Sequence, residues 1–417
     1  VGGIVAANIN EHSYHAILDA PLFGGFSILG HPFTLHFLIN EVFMVFFFGV
    51  AAKEITESVL PGGPLNPIKK AINPLLGTIG GVVGPAGVYL LLGSILFAGH
   101  PDQGEVLKGW GIPTATDIAL AWLAARVVFG TKHPAVNFLL LLAVADDGIG
   151  LGIIAIFYPD PTHPVRPEFL GVTAVGMAIA YGLRRAKVMN WAPYVAIAGA
   201  VSWVGLVLAA LHPALALVFI VPFMPGPKRD AGLFAEQEDT TGMGSVGHGA
   251  HHSALHNFEH AVKVYVDFGL FFFGFANAGV AFASVGSVTW IVFASLCFGK
   301  MIGITLFSSV GQLIGFPLPS GMRIKHLFTA SIVAGLGLTV ALFVAGQAFP
   351  PGSQYAGPAK MGAVFSAVGG LLAFIVGRAL GIRPDSSDTP SQGKSDPALT
   401  ASNHTLYSSD SHAPPPM

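Results

Sequence analysis

Two adjacent aspartates, Asp146 and Asp147, sit near the centre of an apolar run, NFLLLLAVADDGIGLGIIAIFY. The run is about 22 residues long, enough to cross a bilayer as a helix. A carboxylate at that depth costs a few kcal/mol or more, so it is kept for a use or a partner. If both ionise they repel; if one holds a proton, the pair can trade it for a cation. This is the elementary chemistry of a proton-coupled cation carrier. Neighbours on a helix point about 100° apart, so the two cannot face one partner equally. One can face a cavity and bind the ion while the other faces a neighbouring helix. The bland alternative is a structural polar network, since Asp is too short to snorkel from mid-span.

Lys300 lies near the centre of FASLCFGKMIGITLFSSVG. Snorkelling accounts for a lysine near a span end, not for one in the middle. It needs a carboxylate partner, and Asp146 or Asp147 is the candidate. Pairing lowers a carboxylate's affinity for protons and breaking the pair raises it. A cation that displaces the lysine from its aspartate would then release a proton from one of them. A purely structural ion pair is the alternative. Asp117 sits in GIPTATDIALAWLAARVVFG, where Pro113 and the Thr114, Thr116, Asp117 cluster predict local unwinding. Its charge can offset helix N-termini facing the break and can also touch the ion. Thr116 offers an uncharged oxygen to a hard cation such as Na+, or bonds back to its own helix.

Glu41, Lys53, Glu54 and Glu57 are read as lying in or at the cytoplasmic end of the second span. They are either a solvated helix end or coupled carboxylates that sense pH. His248, His251, His252, His256 and His260 cluster with Glu259. On an early-starting helix, His252, His256 and His260 share a face. That face can titrate near neutral pH, hold a metal, or be a plain solvated loop.

These residues need a membrane framework. The chain has 417 residues, 53% hydrophobic and 10% charged, against about 25% charged in soluble domains. Mean hydropathy is +0.66. The composition describes an all-α polytopic membrane protein whose partner is the lipid bilayer. A net charge of −2 argues against nucleic acid. The single cysteine, Cys297, excludes a disulfide framework and a cysteine metal site. The chain opens at Val1, and VGGIVAAN is about half a span; we read it as a first helix lacking its start rather than a signal peptide.

Apolar runs fall at 1–8, 36–58, 71–98, 112–130, 134–158, 168–186, 191–210, 212–224, 256–283, 287–314, 325–349 and 359–382, about twelve spans. Alternate connections collect Lys69 and Lys70, Arg126 and Lys132, Arg184, Arg185 and Lys187, Lys228 and Arg229, Arg323 and Lys325, then Arg378 and Arg383. The other set holds only Lys108, Arg166 and Lys360. By the positive-inside rule both termini are cytoplasmic. Spans 4 and 11 look broken, the latter by Gly335 and Gly337. Paired interrupted helices in the two halves of a chain point to a transport site. Residues 1–383 form the membrane domain, and the Pro/Ser-rich 384–417 reads as a disordered cytoplasmic tail.

GWGIPTATDIAL (109–120), ADDGIGLGIIAIFY, GFANAGV (274–280), FGKMIGITLF (298–307), LPSGM (318–322), AGLGLTVALFVA (334–345) and LINEVFMVFFFGVAAKEITE (38–57) together resemble the NhaA family of sodium/proton antiporters. The resemblance runs from the first residues to about Leu380. It implies an NhaA-like fold with about twelve transmembrane helices, an inverted repeat, and discontinuous spans 4 and 11 crossing near mid-membrane. It implies electrogenic exchange of Na+ or Li+ for more protons, in the bacterial inner membrane, with no cofactor and no enzymatic activity. Asp147 would be the main ion and proton carrier, with Asp146 the partner of Lys300. Asp117 and Thr116 would lie at the crossing, and Glu54 and Glu259 in the pH response. The 22–33 hairpin would join a homodimer. Departures include Gly148, Ile149 and Gly150 after the aspartates, and an extra acid, Asp267, expected to add a titrating group to the core.

A sodium-coupled symporter for an organic anion is the alternative, and it would want a larger polar cavity. An intramembrane aspartyl protease using Asp117 and Asp147 is a second, but its Gly-x-Gly-Asp motif is absent.

Overall fold

The apolar runs fold as helices, and prolines, glycines and capping side chains set where each stops. A computed structural model describes residues 2–22, 27–28, 31–61, 63, 65–66, 68–159, 164–226, 253–349 and 352–384. Two short helices, α1 (Gly2–Ile9) and α2 (Glu11–Leu18), come first. A small hairpin follows, with Ser27–Ile28 antiparallel to His31–Pro32. Next are α3 (Met44–Ser58), entered through a π-helical turn at Leu38–Phe43, and α4 (Ile68–Leu96). Then come α5 (Ile118–Phe129), α6 (Pro134–Phe157), α7 (Leu170–Arg185) and α8 (Ala200–Leu208). The second half holds α9 (Ala254–Asn277), α10 (Ser287–Ala294) and α11 (Lys300–Leu313). It closes with α12 (Ile324–Ala334), α13 (Leu338–Ala348), α14 (Ala356–Phe365) and α15 (Val368–Ala379).

By length and composition, five segments of the described residues suffice to cross a membrane, or seven if each of two bent pairs is one span. The bent pairs are Gln103–Thr114 with α5, at 53°, and α12 with α13, at 48°. These are the two interruptions expected from the sequence. The apolar run at 212–224 differs from expectation. It forms short 3-10 turns at Pro213–Leu215 and Val221–Phe223. Pro213 and Pro222 lack an N–H for a helical ladder, and the His212 ring accepts the Ala214 N–H instead.

Helix α6 starts cleanly, because Pro134 fills the first helical position and His133 accepts the Ala135 N–H. Its first half packs in one apolar cluster through Phe138 and Leu142, with Phe129, Ile304 and Leu327. Its second half packs in another through Leu151 and Ile154, with Phe48, Phe258 and Phe343. Asp146 and Asp147 lie between the two clusters.

Helices α4 and α11 approach through paired small residues. Gly80 and Gly84 face Gly303 and Gly299 so closely that a side chain at any of them would meet the partner's backbone. Four-residue glycine spacing on both helices allows this contact, and it sets the depth of Lys300 beside Gly299. The proposed tail, 384–417, lies beyond the described residues except for Pro384; residues 227–252, with most of the long loop and His248, His251 and His252, also lie outside them.

Candidate functional site

Pro113 removes a ladder N–H and disturbs the turn before it; the 3-10 helix ends at Thr114, and the chain runs extended before Asp117 caps α5. Asp117 Oδ1 accepts the Leu120 N–H at 3.1 Å. Oδ2 accepts the Thr339 N–H at 3.2 Å and the Thr339 hydroxyl. One carboxylate thus caps the N-termini of both α5 and α13, where partial positive charge gathers. The Asp117 N–H donates to Leu336 O at 2.6 Å, next to the C-terminal end of α12. The two breaks therefore touch, and backbone groups freed by one are met by the other. Asp117 is committed to helix ends, so the sequence expectation of charge balance is the part of its role seen in the contacts.

Lys300 is fully buried and its Nζ lies 2.6 Å from Asp146 Oδ2. Of the two partners left open by the residues, the structure brings Asp146. Lys300 Nζ also donates to Thr116 Oγ1 at 2.5 Å. The Thr116 hydroxyl has two acceptors, Asp146 Oδ2 at 2.7 Å and Ala334 O at 3.1 Å. Its single proton can serve only one at a time. Lys300, Asp146 and Thr116 make a closed triangle beside the break.

Asp147 points elsewhere, as the helical offset requires. It lines a cavity of about 10 Å³ with Phe48, Ala51, Gly150 and Val340. Room of that order holds roughly one water-sized particle. Asp147 Oδ1 and Asp146 Oδ1 are both buried without a hydrogen-bond partner. Buried carboxylate oxygens are normally satisfied. Two orphans on neighbouring acids leave acceptor capacity that a proton or a cation could use.

Glu54, Glu57 and Glu259 converge on Lys53. Its Nζ lies 3.4 Å from Glu54 Oε1 and 2.7 Å from Glu57 Oε2, and it also pairs with Glu259. Helices α3 and α9 are tied there. His256 and His260 are on α9, and His260 is exposed. Among the described residues no group of three His, Cys, Asp or Glu side chains could hold a metal ion.

Glu41 corrects the sequence reading. It lies in the π-helical turn at the far end of the span from Glu54, roughly 18 Å of helix from Lys53. Its Oε1 is 3.6 Å from His212 Nε2. It lines a cavity of about 780 Å³ with His36, Asn40, Asn277 and Lys360. The apolar run begins before Glu41, so its depth was misjudged. Asp267 is also corrected: it is exposed on α9, on the side that shows Val264, Tyr265, Phe268 and Phe271, not in the core.

Two contributors escaped the sequence reading, and a third, Lys53, was placed at the helix end without its part as the hub. Thr339 looks like any helical threonine, and only its place two residues after the Gly337 break marks it. Lys53 is the hub rather than a bystander, which its i,i+4 spacing to Glu57 signals. The Gly80/Gly84 and Gly299/Gly303 pairs carry a legible small-residue pattern.

A family model described as Na+/H+ antiporter 1 matches residues 1–380. The Na(+)/H(+) antiporter NhaA of Geobacter sulfurreducens is 55% identical over 390 residues, covering 92% of this chain and 95% of the relative. That of Desulfitobacterium hafniense (strain DSM 10664 / DCB-2) is 54% identical over 382 residues, covering 91% and 92%. A more distant relative, the Na(+)/H(+) antiporter NhaA of Jannaschia sp., is 42% identical over 413 residues, covering 90% and 94%.

Proposed function

The chain belongs to the Na+/H+ antiporter 1 family, a multi-pass membrane transporter and not an enzyme, and from that premise we propose that it exchanges Na+ or Li+ for protons at Asp147. The observation that carries this reading is the pair of buried, unpartnered carboxylate oxygens on Asp146 and Asp147, one acid locked to Lys300 and the other facing a cavity. The locked acid cannot easily take a cation. The free one can, and at most one proton or one ion fits its oxygen.

In the proposed cycle, Na+ reaches Asp147 from the cytoplasm. Asp147 gives up its proton as sodium takes its place, and the sodium charge weakens the hold of the acids on Lys300, which gives up a second proton. The loaded site then turns outward, sodium leaves, and protons from outside return the carrier. More protons than sodium ions cross per cycle, so exchange is electrogenic and the inward proton gradient drives sodium out. The two bent pairs rock about their contact at Asp117, Thr116 and Thr339, within about twelve spans arranged as an inverted repeat over residues 1–383. The Lys53, Glu54, Glu57 and Glu259 cluster sits at the cytoplasmic mouth and tunes activity to pH. Both termini are cytoplasmic in a bacterial inner membrane, and the hairpin around 22–33 joins two copies. A cavity of about 10 Å³ at Asp147 speaks against an organic-anion symporter.

The test is reconstitution into liposomes with an internal pH dye. Added Na+ or Li+ should drive protons out, and Asp147→Asn should abolish the signal. Sodium-driven proton movement at the wild-type rate in that variant would reject the assignment. Sodium uptake only in the presence of an organic anion would favour the symporter.

A further inference from the structure

We propose that Thr339 is a positioning residue for the exchange, its hydroxyl holding the Asp117 carboxylate on the helix ends and so keeping it from the transported cation. The inference rests on the reading of Asp147 as the carrier. Asp117 is 7% exposed and both its oxygens are occupied. Oδ1 is held by Leu120 N–H, and Oδ2 by the amide and hydroxyl of Thr339.

The arrangement is reciprocal. Thr116, on the first bent pair, sends its hydroxyl toward Ala334 O on the second. Thr339, on the second, sends its hydroxyl to Asp117 on the first. The two hydroxyls are not equivalent. Thr116 chooses between Ala334 O and Asp146 and accepts from Lys300, so its bonding must change when the Lys300–Asp146 pair opens. Thr339 donates to a carboxylate bound at the same time by two backbone amides. It is the fixed member of the clasp.

The consequence is selectivity of place. A third acid, Asp117, stands near enough to Asp147 for their charges to interact, and a cation held between two carboxylates binds more tightly and leaves more slowly than one held by Asp147 alone. By committing Oδ2 to the α13 N-terminus, Thr339 leaves the cation a single-acid site that loads and unloads. Remove the hydroxyl, and one amide at 3.2 Å remains on Oδ2. The carboxylate can then turn toward Asp147.

The experiment titrates Na+ against the melting temperature of purified protein, and in parallel measures Na+-driven proton efflux in liposomes. Thr339→Val keeps the side-chain shape and deletes the donor. The half-saturating Na+ should fall about fivefold, the order of one hydrogen bond's net worth, and turnover should fall with it. Thr339→Ser should restore both. In an Asp117→Asn background Thr339→Val should leave Na+ affinity unchanged. Thr339→Ala should repeat the result if the valine variant does not fold. An unchanged or weaker Na+ affinity in the hydroxyl-free variants would overturn the proposal, as would a shift that persists without the Asp117 carboxylate. Exchange that survives Asp147→Asn would sink the carrier assignment instead, and is read separately.

Discussion

Lys300 carries its charge in a fully buried place because Asp146 and Thr116 both meet it. Breaking such a pair by removing one partner leaves an uncompensated charge, at a cost of about 3–5 kcal/mol. Lys300→Met should therefore lower the melting temperature of the purified protein sharply. Removing both charges, as Asp146→Asn with Lys300→Met, should recover part of that loss. A Lys300→Met protein as stable as wild type would mean the pair contributes little. The acids elsewhere divide by where they sit. Asp267 is exposed among apolar side chains on α9, while Glu259 on the same helix pairs with Lys53. In pH-dependent proton efflux, Asp267→Asn should leave the activity midpoint where it is. Glu259→Gln removes one of three like charges around Lys53, so the remaining carboxylates repel less and the midpoint should move to lower pH. A shift with Asp267→Asn and none with Glu259→Gln would reverse the roles. The residues alone give two acids on one helix; the resemblance puts Glu259 in the pH response, and Asp267 is expected to titrate in the core. A 3.6-residue repeat tells them apart only once the buried face is known, and the aromatic residues around Asp267 disguised the outward face as a core.

At the scale of elements, the depth of Lys300 depends on α4 and α11 meeting without side chains between them. A methyl on Gly303 would run into the backbone of Gly80, and one on Gly87 of the same helix α4 meets nothing within 4 Å. Overpacking of this kind costs about 1–3 kcal/mol. Gly303→Ala should lower both thermal stability and exchange rate, while Gly87→Ala should leave both near wild type. Equal behaviour of the two variants would show that helix approach does not position the ion pair. The interruptions were legible because Pro113, Gly335 and Gly337 break a helix locally. The partner choice of Lys300 was half legible, since the need for a carboxylate is local but which of two neighbours turns to meet it depends on helix phase. The clasp at Asp117 and Thr339 was not legible. Their hydrogen bond joins residues 222 apart in sequence, and nothing in either segment names the other. The 212–224 run misled for the opposite reason: its composition is apolar, but Pro213 and Pro222 divide it into turns that hydropathy does not register.

For the molecule as a whole, the distribution of charge should decide orientation. Basic residues concentrate at one set of helix ends, from Arg184 and Arg185 at the end of α7 to Arg378 near the end of α15. The opposite set is sparse, and Lys108 is one of its few cations. A membrane that disfavours moving lysine and arginine outward leaves the rich set in the cytoplasm. The same assignment would put the Lys53 cluster at the mouth exposed to cytoplasmic pH, and the large cavity beside Glu41 on the side where sodium leaves. The two statements stand or fall together. Cys297 is buried, and its replacement by serine gives a background for single cysteines at exposed positions. In right-side-out vesicles a membrane-impermeant maleimide should label Lys108→Cys and Gln354→Cys at once. Arg185→Cys and Arg383→Cys should react only after the membrane is opened. The reverse pattern would place the Lys53 cluster outside, and it could then sense only external pH. Labelling of Arg185 and Arg383 from opposite sides would mean an odd number of crossings between them, and with it a different count of spans after α7.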